Sequence, residues 1–256
     1  ADKLQFYLEK FRNRKINRNF LLENPGVQLP PDYLIYESFQ LNYKKYYVES
    51  EETAQWLIQL LKKHSELTNV KILDWGCGPG RVIRHLPRYI QGNSEFYGTD
   101  YNAKSIKWCS ENLPGIHFNH NTLAAGLPYK DNFFDVIYGI SIFTHLSEDM
   151  HFNWYTELLR ILKPGGIMLV TAQGRNFKQK LSAAELKHFN AGGLVVRGKV
   201  KEGHRTFSAF HPAQFMRKLF ANAGILEHLE REPAGNGWLP QDVWIIKNET
   251  SAKNKK

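Results

Sequence analysis

The chain has 256 residues, is 42% hydrophobic and 23% charged, and carries a formal net charge of +9 with only two cysteines. That is enough apolar sequence for one large core. No apolar run reaches the roughly 18 residues of a membrane span, the charged start does not read as a signal peptide, and two cysteines make neither a disulfide framework nor a metal cluster. The expectation is a cytoplasmic globular protein without a bound metal. Its positive excess sits at the two ends, in Lys3, Lys10, Arg12, Arg14, Lys15 and Arg18 and again in Lys247, Lys253, Lys255 and Lys256, which reads as solubilising termini and not as a nucleic-acid channel.

Leu4, Tyr7, Leu8 and Phe11 recur at i, i+3, i+4, i+7 and predict a basic amphipathic helix over residues 3–12. Its apolar face is expected to pack on its own domain, the alternative being a partner or an anionic membrane surface. After the breaks at Asn24-Pro25-Gly26 and Leu29-Pro30-Pro31 comes a tyrosine-rich stretch that includes Tyr43, Tyr46 and Tyr47, read as core or lid packing with a substrate contact in view. Ser50, followed by Glu51 and Glu52, is expected to cap a helix carrying Trp56, Leu57, Leu60 and Leu61.

The next stretch, Val70 to Arg81, is an apolar strand running into Gly76-Cys77-Gly78-Pro79-Gly80. Three glycines in five positions let backbone approach a ligand, and a helix over 81–86 is predicted to point its N-terminus there. Strands are then predicted at 94–100, 115–119, 134–140 and 167–172, with helices over 103–112 and from a Ser147 cap to Ile161. This alternation predicts an α/β fold with a mostly parallel sheet covered on both faces. A helix near 212–223 and strands near 225–230 and 242–247 complete seven strands. Between Gln173 and His211 lies an insertion at the strand ends: a helix opened by the capping box Ser182-Ala183-Ala184-Glu185, then a hairpin from two extended segments. The domain reading is an N-terminal helical lid at 1–66, a cofactor-binding domain at 67–247 with a cap inserted at 173–211, and a basic tail at 248–256.

A dinucleotide site would want G-x-G-x-x-G, but Arg81 stands at the third glycine position. The acid before the glycines, Asp74, and the later Leu162-Lys163-Pro164-Gly165-Gly166 discriminate further. Together with Gly98-Thr99-Asp100, Leu127-Pro128-Tyr129 and Phe133-Phe134-Asp135-Val136-Ile137, these residues resemble the ordered motifs of the class I S-adenosylmethionine (SAM)-dependent methyltransferases over residues 68–172. The resemblance implies a Rossmann-like seven-stranded sheet, SAM as cofactor and S-adenosylhomocysteine as product. It also implies that backbone at Gly76, Cys77, Gly78 and Gly80 meets the methionine part, with Asp74 near its amino group. Asp100 would take the ribose hydroxyls and Tyr101 would lie on the adenine. Asn121 and Thr122 stand where the family often has an acidic and a small residue, and Ile140 or Ser141 would present backbone after strand four.

Within that family, His145, in Ser141-Ile142-Phe143-Thr144-His145-Leu146, and His211, at the exit of the hairpin, are the candidate general bases for a hydroxyl acceptor. The chain lacks the Asn/Asp-Pro-Pro-aromatic clamp of adenine or glutamine methylation and a free nucleophilic cysteine for cytosine carbon-5 chemistry. A small molecule, with a sugar or metabolite hydroxyl leading, is the expected acceptor. Arg197 and Arg205 on the hairpin would suit a phosphorylated or nucleotide-linked one. An RNA methyltransferase and a non-catalytic SAM-fold protein are the alternatives.

Overall fold

The computed structural model of the protein describes residues 2–39, 41–198, 202, 203, 207–233, 235 and 237–249. Arg205, the tail from residue 250 on and parts of the hairpin loop lie outside the described residues. Among those described, the helices are α1 (Asp2–Arg12), α2 (Arg14–Glu23), α3 (Asp32–Phe39), α4 (Ser50–Leu61), α5 (Ala103–Asn112), α6 (Glu148–Ile161), α7 (Ala183–Asn190) and α8 (Ala213–Leu219). The strands are β1 (Lys71–Trp75), β2 (Glu95–Asp100), β3 (Ile116–His120), β4 (Phe134–Gly139), β5 (Leu162–Ala172), β6 (Val195–Arg197), β7 (Ser208–Phe210), β8 (Gly224–Leu229) and β9 (Asp242–Lys247). Seven strands form one sheet in the order β3-β2-β1-β4-β5-β9-β8, and β6-β7 make a separate ribbon. The Rossmann-like sheet and the inserted helix-plus-hairpin are therefore those the sequence predicts.

The chain clusters into two compact units, one of the residues up to Asn69 with Cys77–His120, the other of Val70–Gly76 with the residues from Asn121 on. In the first, β2 and β3 pair in parallel from Phe96↔Ile116 to Asp100↔His120. The tyrosine-rich stretch builds its own core, in which Ile35, Tyr36, Leu41 and Tyr46 are buried and Phe6, Leu29, Tyr43 and Tyr47 pack against them. Asn17 of α2 ties this core together: its amide donates to Leu41 O at 2.9 Å and its carbonyl accepts Tyr43 N–H at 3.0 Å. Leu41 sits at φ +58, so the bend it makes costs backbone strain that the Asn17 pair offsets.

Three local expectations for this unit are corrected. The helix at 3–12 forms, but its apolar face does not pack inward: Leu4, Tyr7, Leu8 and Phe11 are exposed while Glu9 is buried. Glu9 turns in because Gln5, Arg12 and Asn13 all donate to its carboxylate. Ser50 does not cap α4. The backbone already coils through Lys45–Glu49 as a π-turn, Asn42 Oδ1 takes Lys45 N–H at 3.0 Å, and the Ser50 hydroxyl is buried without a partner. The helix expected over 81–86 is a short 3₁₀ segment, Ile83–Arg88, containing Pro87. Proline cannot donate an i to i−4 bond, and six residues after Gly80 are too few to establish an α-helix ahead of it.

In the second unit β1, β4 and β5 are parallel and β9 runs antiparallel between β5 and β8. Ile72, Leu73, Val136, Ile137, Met168 and Leu169 are at most 0% exposed, as expected for strands covered on both faces. At Lys163-Pro164-Gly165-Gly166 the β4–β5 register jumps from Phe134↔Leu162 to Val136↔Ile167, so the four residues bulge out of the strand. Gly165 takes φ +79 there and its N–H reaches Asn248 O at 2.7 Å. Asn248, placed in the tail by its sequence, is buried and donates to Leu162 O at 2.8 Å.

Replacing Asn17 by Ala leaves a buried carbonyl and a buried N–H without partners, so urea denaturation should show a loss of about 2–3 kcal/mol. An unchanged midpoint would mean the Leu41 bend is held by packing alone.

Candidate cofactor and acceptor site

In the first unit the glycine turn is built around one carboxylate. Asp100, last residue of β2 and 8% exposed, accepts Gly78 N–H at 2.9 Å and Asn102 N–H at 2.7 Å. Burial raises its pKa and these two bonds oppose the rise. Two of its four lone-pair positions are used by backbone, leaving acceptor capacity for a ligand. Asn102 in turn caps α5, its side-chain oxygen accepting Lys104 and Ser105 N–H. Gly78 has φ +52, and a Cβ there would meet nothing within 4 Å, so the backbone faces open space beside the carboxylate. Gly80 is the opposite: a Cβ would lie 2.7 Å from Leu113 and 3.2 Å from Cys109 Sγ. Cys77 is buried and its thiol turns to Gly78 O, as does that of Cys109.

The tyrosines read as core or lid packing lie in and against the core, and buttress this turn. Tyr46, fully buried, donates its hydroxyl to Pro79 O at 2.8 Å and receives Arg84 at 3.1 Å. Tyr47 accepts from Arg88 at 2.9 Å, and Tyr43 donates to Asp32 at 2.6 Å. All three hydroxyls are spent within the unit. Tyr101 is 45% exposed and its carbonyl holds the His120 ring at 3.0 Å.

In the second unit Asp74 is buried at the end of β1 and accepts the Tyr138 hydroxyl at 2.8 Å. Gly76 takes φ +77, and a Cβ on it would collide with Ile142. Past β4, Ser141 adopts φ +65, a conformation costly for a non-glycine residue. A closed set of bonds holds it. Ser141 N–H donates to Thr171 Oγ1 at 2.8 Å, Thr171 donates to Gln241 Oε1 at 2.6 Å, and Gln241 donates to Ser141 Oγ at 2.8 Å. Thr144 donates back to Ser141 O at 2.6 Å. Asn121 is buried with its amide on Thr122 O, and Thr122 bonds Ala124 O, so both side chains shape their own loop.

The two candidate bases differ. His145 is half-buried with Nδ1 3.0 Å from Phe207 O; a carbonyl only accepts, so Nδ1 carries the proton and Nε2 the basic lone pair. His211 is buried, its Nε2 2.9 Å from Nε2 of the equally buried His151. Nδ1 of His151 meets Ser147 O at 2.7 Å, so His151 Nε2 accepts and His211 donates. Burial holds His151 down to about 4 and, with the neighbouring His151, pushes His211 well below the ordinary range. Ser147 stands at the α6 start, but its side chain makes no capping bond. Arg197 grips Glu185 of the capping box with two bonds, 2.8 and 2.7 Å, and holds that carboxyl down to about 2. His228, Glu230 and Asp242 also converge, yet His228 bonds Asp242 at 3.1 Å and Glu230 pairs with Arg175.

A family model described as a methyltransferase domain matches residues 72–166, from β1 through the glycine turn and Asp100 to the Pro-Gly-Gly bulge. Residues 72–166 are thus similar to the methyltransferase domain of the class I SAM-dependent methyltransferases. Among curated relatives, the chain is 30% identical over 154 residues to a phthiotriol/phenolphthiotriol dimycocerosates methyltransferase of Mycobacterium ulcerans, covering 55% of the chain and 54% of that protein. It is 30% identical over 166 residues to a fatty-acid O-methyltransferase of Mycolicibacterium smegmatis, covering 60% and 59%. The chain thus spans little more than half the length of these two relatives. A SAM-dependent methyltransferase structure from Methanosarcina mazei aligns with a TM-score of 0.56 at 18% identity, over 74% of this chain and 96% of that one, a likeness of fold. The family's methyl donor is SAM.

Sequence reasoning missed Thr144, Thr171 and Gln241, which fix the backbone after β4, and His151, which pairs with His211. Nothing in the spacing of Gln241, a hundred residues from Ser141, marks it beforehand. The protein folds with His85, His151 and His211 neutral, since burial depresses all three. Each takes up a proton near pH 6.5 once unfolded, so stability falls as pH drops from about 6.5 towards 4. The variant H151Q/H211Q should show a shallower fall of the denaturation midpoint over that window.

Proposed function

We propose that the chain transfers a methyl group from SAM to a hydroxyl of a small molecule. The observation that carries this reading is the buried, backbone-held Asp100 beside the open face of Gly78, an arrangement that fits the diol of a ribose with the rest of the cofactor against bare backbone. Gly76, Gly78 and Gly80 bring main chain to the methionine part, and Asp74, kept in place by Tyr138, serves its amino group. Tyr101 offers an exposed ring to the adenine, Asn121 and Thr122 bound that end with their loop, and Cys77 contributes backbone only. Ile140 and Ser141 present main chain whose conformation the Thr171–Gln241 bonds hold.

SAM supplies a methyl on a sulfonium, a good electrophile whose leaving thioether needs no assistance. What the chain must add is position and, for a hydroxyl acceptor, removal of a proton. His145 suits that step because the Phe207 carbonyl fixes the tautomer with its lone pair on Nε2. His211 suits it less, being buried, neutral and bonded to His151. Oxygen on a small molecule is favoured by the name of the fatty-acid O-methyltransferase relative. Arg160, Arg175 and Arg197 are each paired to carboxylates, which leaves these three less available to phosphates of an RNA. A sugar, a fatty acid or another metabolite each offers the required oxygen.

Asp100→Ala should weaken SAM binding in calorimetry by roughly 10- to 150-fold, the equivalent of about 1.5–3 kcal/mol; an unchanged Kd would remove the ribose role. With any acceptor from a panel of sugars, fatty acids and phenols that turns over, His145→Ala should cut kcat by about a hundredfold or more at unaltered SAM affinity. Near-normal turnover would dismiss His145 as the base.

A further inference from the structure

Helix α1 is inside out. Its buried side is formed by Glu9, 7% exposed, and by Phe6, whose ring sits edge-on to Tyr36 at 5.3 Å. Its apolar stripe faces away: Leu4 is 67% exposed, Tyr7 66% and Phe11 77%, with Leu8 beside them. A helix that needed only to pack on its own domain would turn this stripe inward, because each of these side chains gives up apolar burial by pointing out. The carboxylate it buries instead is matched by three donors from the same helix region, so the orientation is built and not an accident of packing.

Charge says what the stripe faces. At about 100° per residue, Lys3 and Lys10 run along one border of the stripe and Arg12 along the other. On the adjoining α2, Arg14, Lys15 and Arg18 are exposed around the outward Leu22, itself 72% exposed. Lys10 and Arg12 have carboxylate partners, and Arg14, Lys15 and Arg18 stand exposed to solvent. An aliphatic-aromatic stripe bordered by cations is the pattern of a helix lying in a bilayer interface, rings at the headgroup level and cations on anionic lipid phosphates. A standard protein interface engages some 20–30 residues a side, whereas the exposed apolar side chains here are four on α1 with Ile16, Leu21 and Leu22 on α2, a small set suited to shallow insertion.

We infer that α1 and α2 dock this chain, peripherally and reversibly, on an anionic lipid surface. The docking face involves none of the residues assigned above to SAM or to the acceptor, so it stands whether or not the acceptor reading does. The test is flotation of the full chain with vesicles of phosphatidylcholine containing about 30% phosphatidylglycerol, against pure phosphatidylcholine, at low and high salt. Partition should be at least about tenfold greater on the anionic vesicles and should fall with salt. Tyr7→Ser/Phe11→Ser and, separately, Lys15→Glu/Arg18→Glu should each reduce it about tenfold while SAM affinity stays at the parent value, which certifies the fold. No preference for anionic vesicles overturns the inference. So does sedimentation showing a dimer that the Tyr7→Ser/Phe11→Ser variant abolishes, since the stripe would then belong to a second copy.

Discussion

The hydrogen bond from Gly78 N–H to the Asp100 carboxylate is the constraint on which the first unit's turn depends. It fixes a turn of otherwise permissive glycines to the end of β2, and it does so with a buried anion whose remaining lone pairs are oriented by the same contact. Asn102 extends the arrangement, donating its N–H to Asp100 and capping α5 with its side chain, so strand end, turn and helix start share one polar centre. The Tyr46 hydroxyl on Pro79 O braces the turn from its other side. Rigidity here comes from polar bonds in a dry setting, where each is strong and each would be expensive to leave unmade.

The second unit solves a like problem without glycine. Ser141 holds a left-handed backbone because Thr144, Thr171 and Gln241 together satisfy its amide, its carbonyl and its hydroxyl. Nearby, His151 and His211 form a neutral pair whose protons are ordered by the Ser147 carbonyl. The two arrangements differ in what they tolerate: a glycine turn is specified locally, whereas the Ser141 loop is specified by side chains from several elements.

That difference also explains what could be read from the sequence. The seven strands and the glycine turn were legible because hydrophobic runs and glycine spacing are local patterns. The inserted helix was legible for the same reason, its capping box being complete within four residues. Legibility failed where distant or competing contacts decide. Pro87 shortened the segment after the turn, a π-turn displaced the Ser50 cap, and three donors to Glu9 reversed the expected facing of α1. Arg197, read as an acceptor contact, turned out to be tied to Glu185, an association that neither residue's type discloses.

The Ser141 network carries a consequence for how the molecule is made. Gln241 leaves the ribosome a hundred residues after Ser141, so through most of synthesis the loop after β4 lacks two of its bonds and has no reason to hold its left-handed turn. It is completed only when β9 slides in antiparallel beside β5, the last strand laid into the sheet. The nascent protein can therefore assemble its glycine turn early while its post-β4 loop stays unset, and completion of that loop reports that the C-terminal strand has arrived.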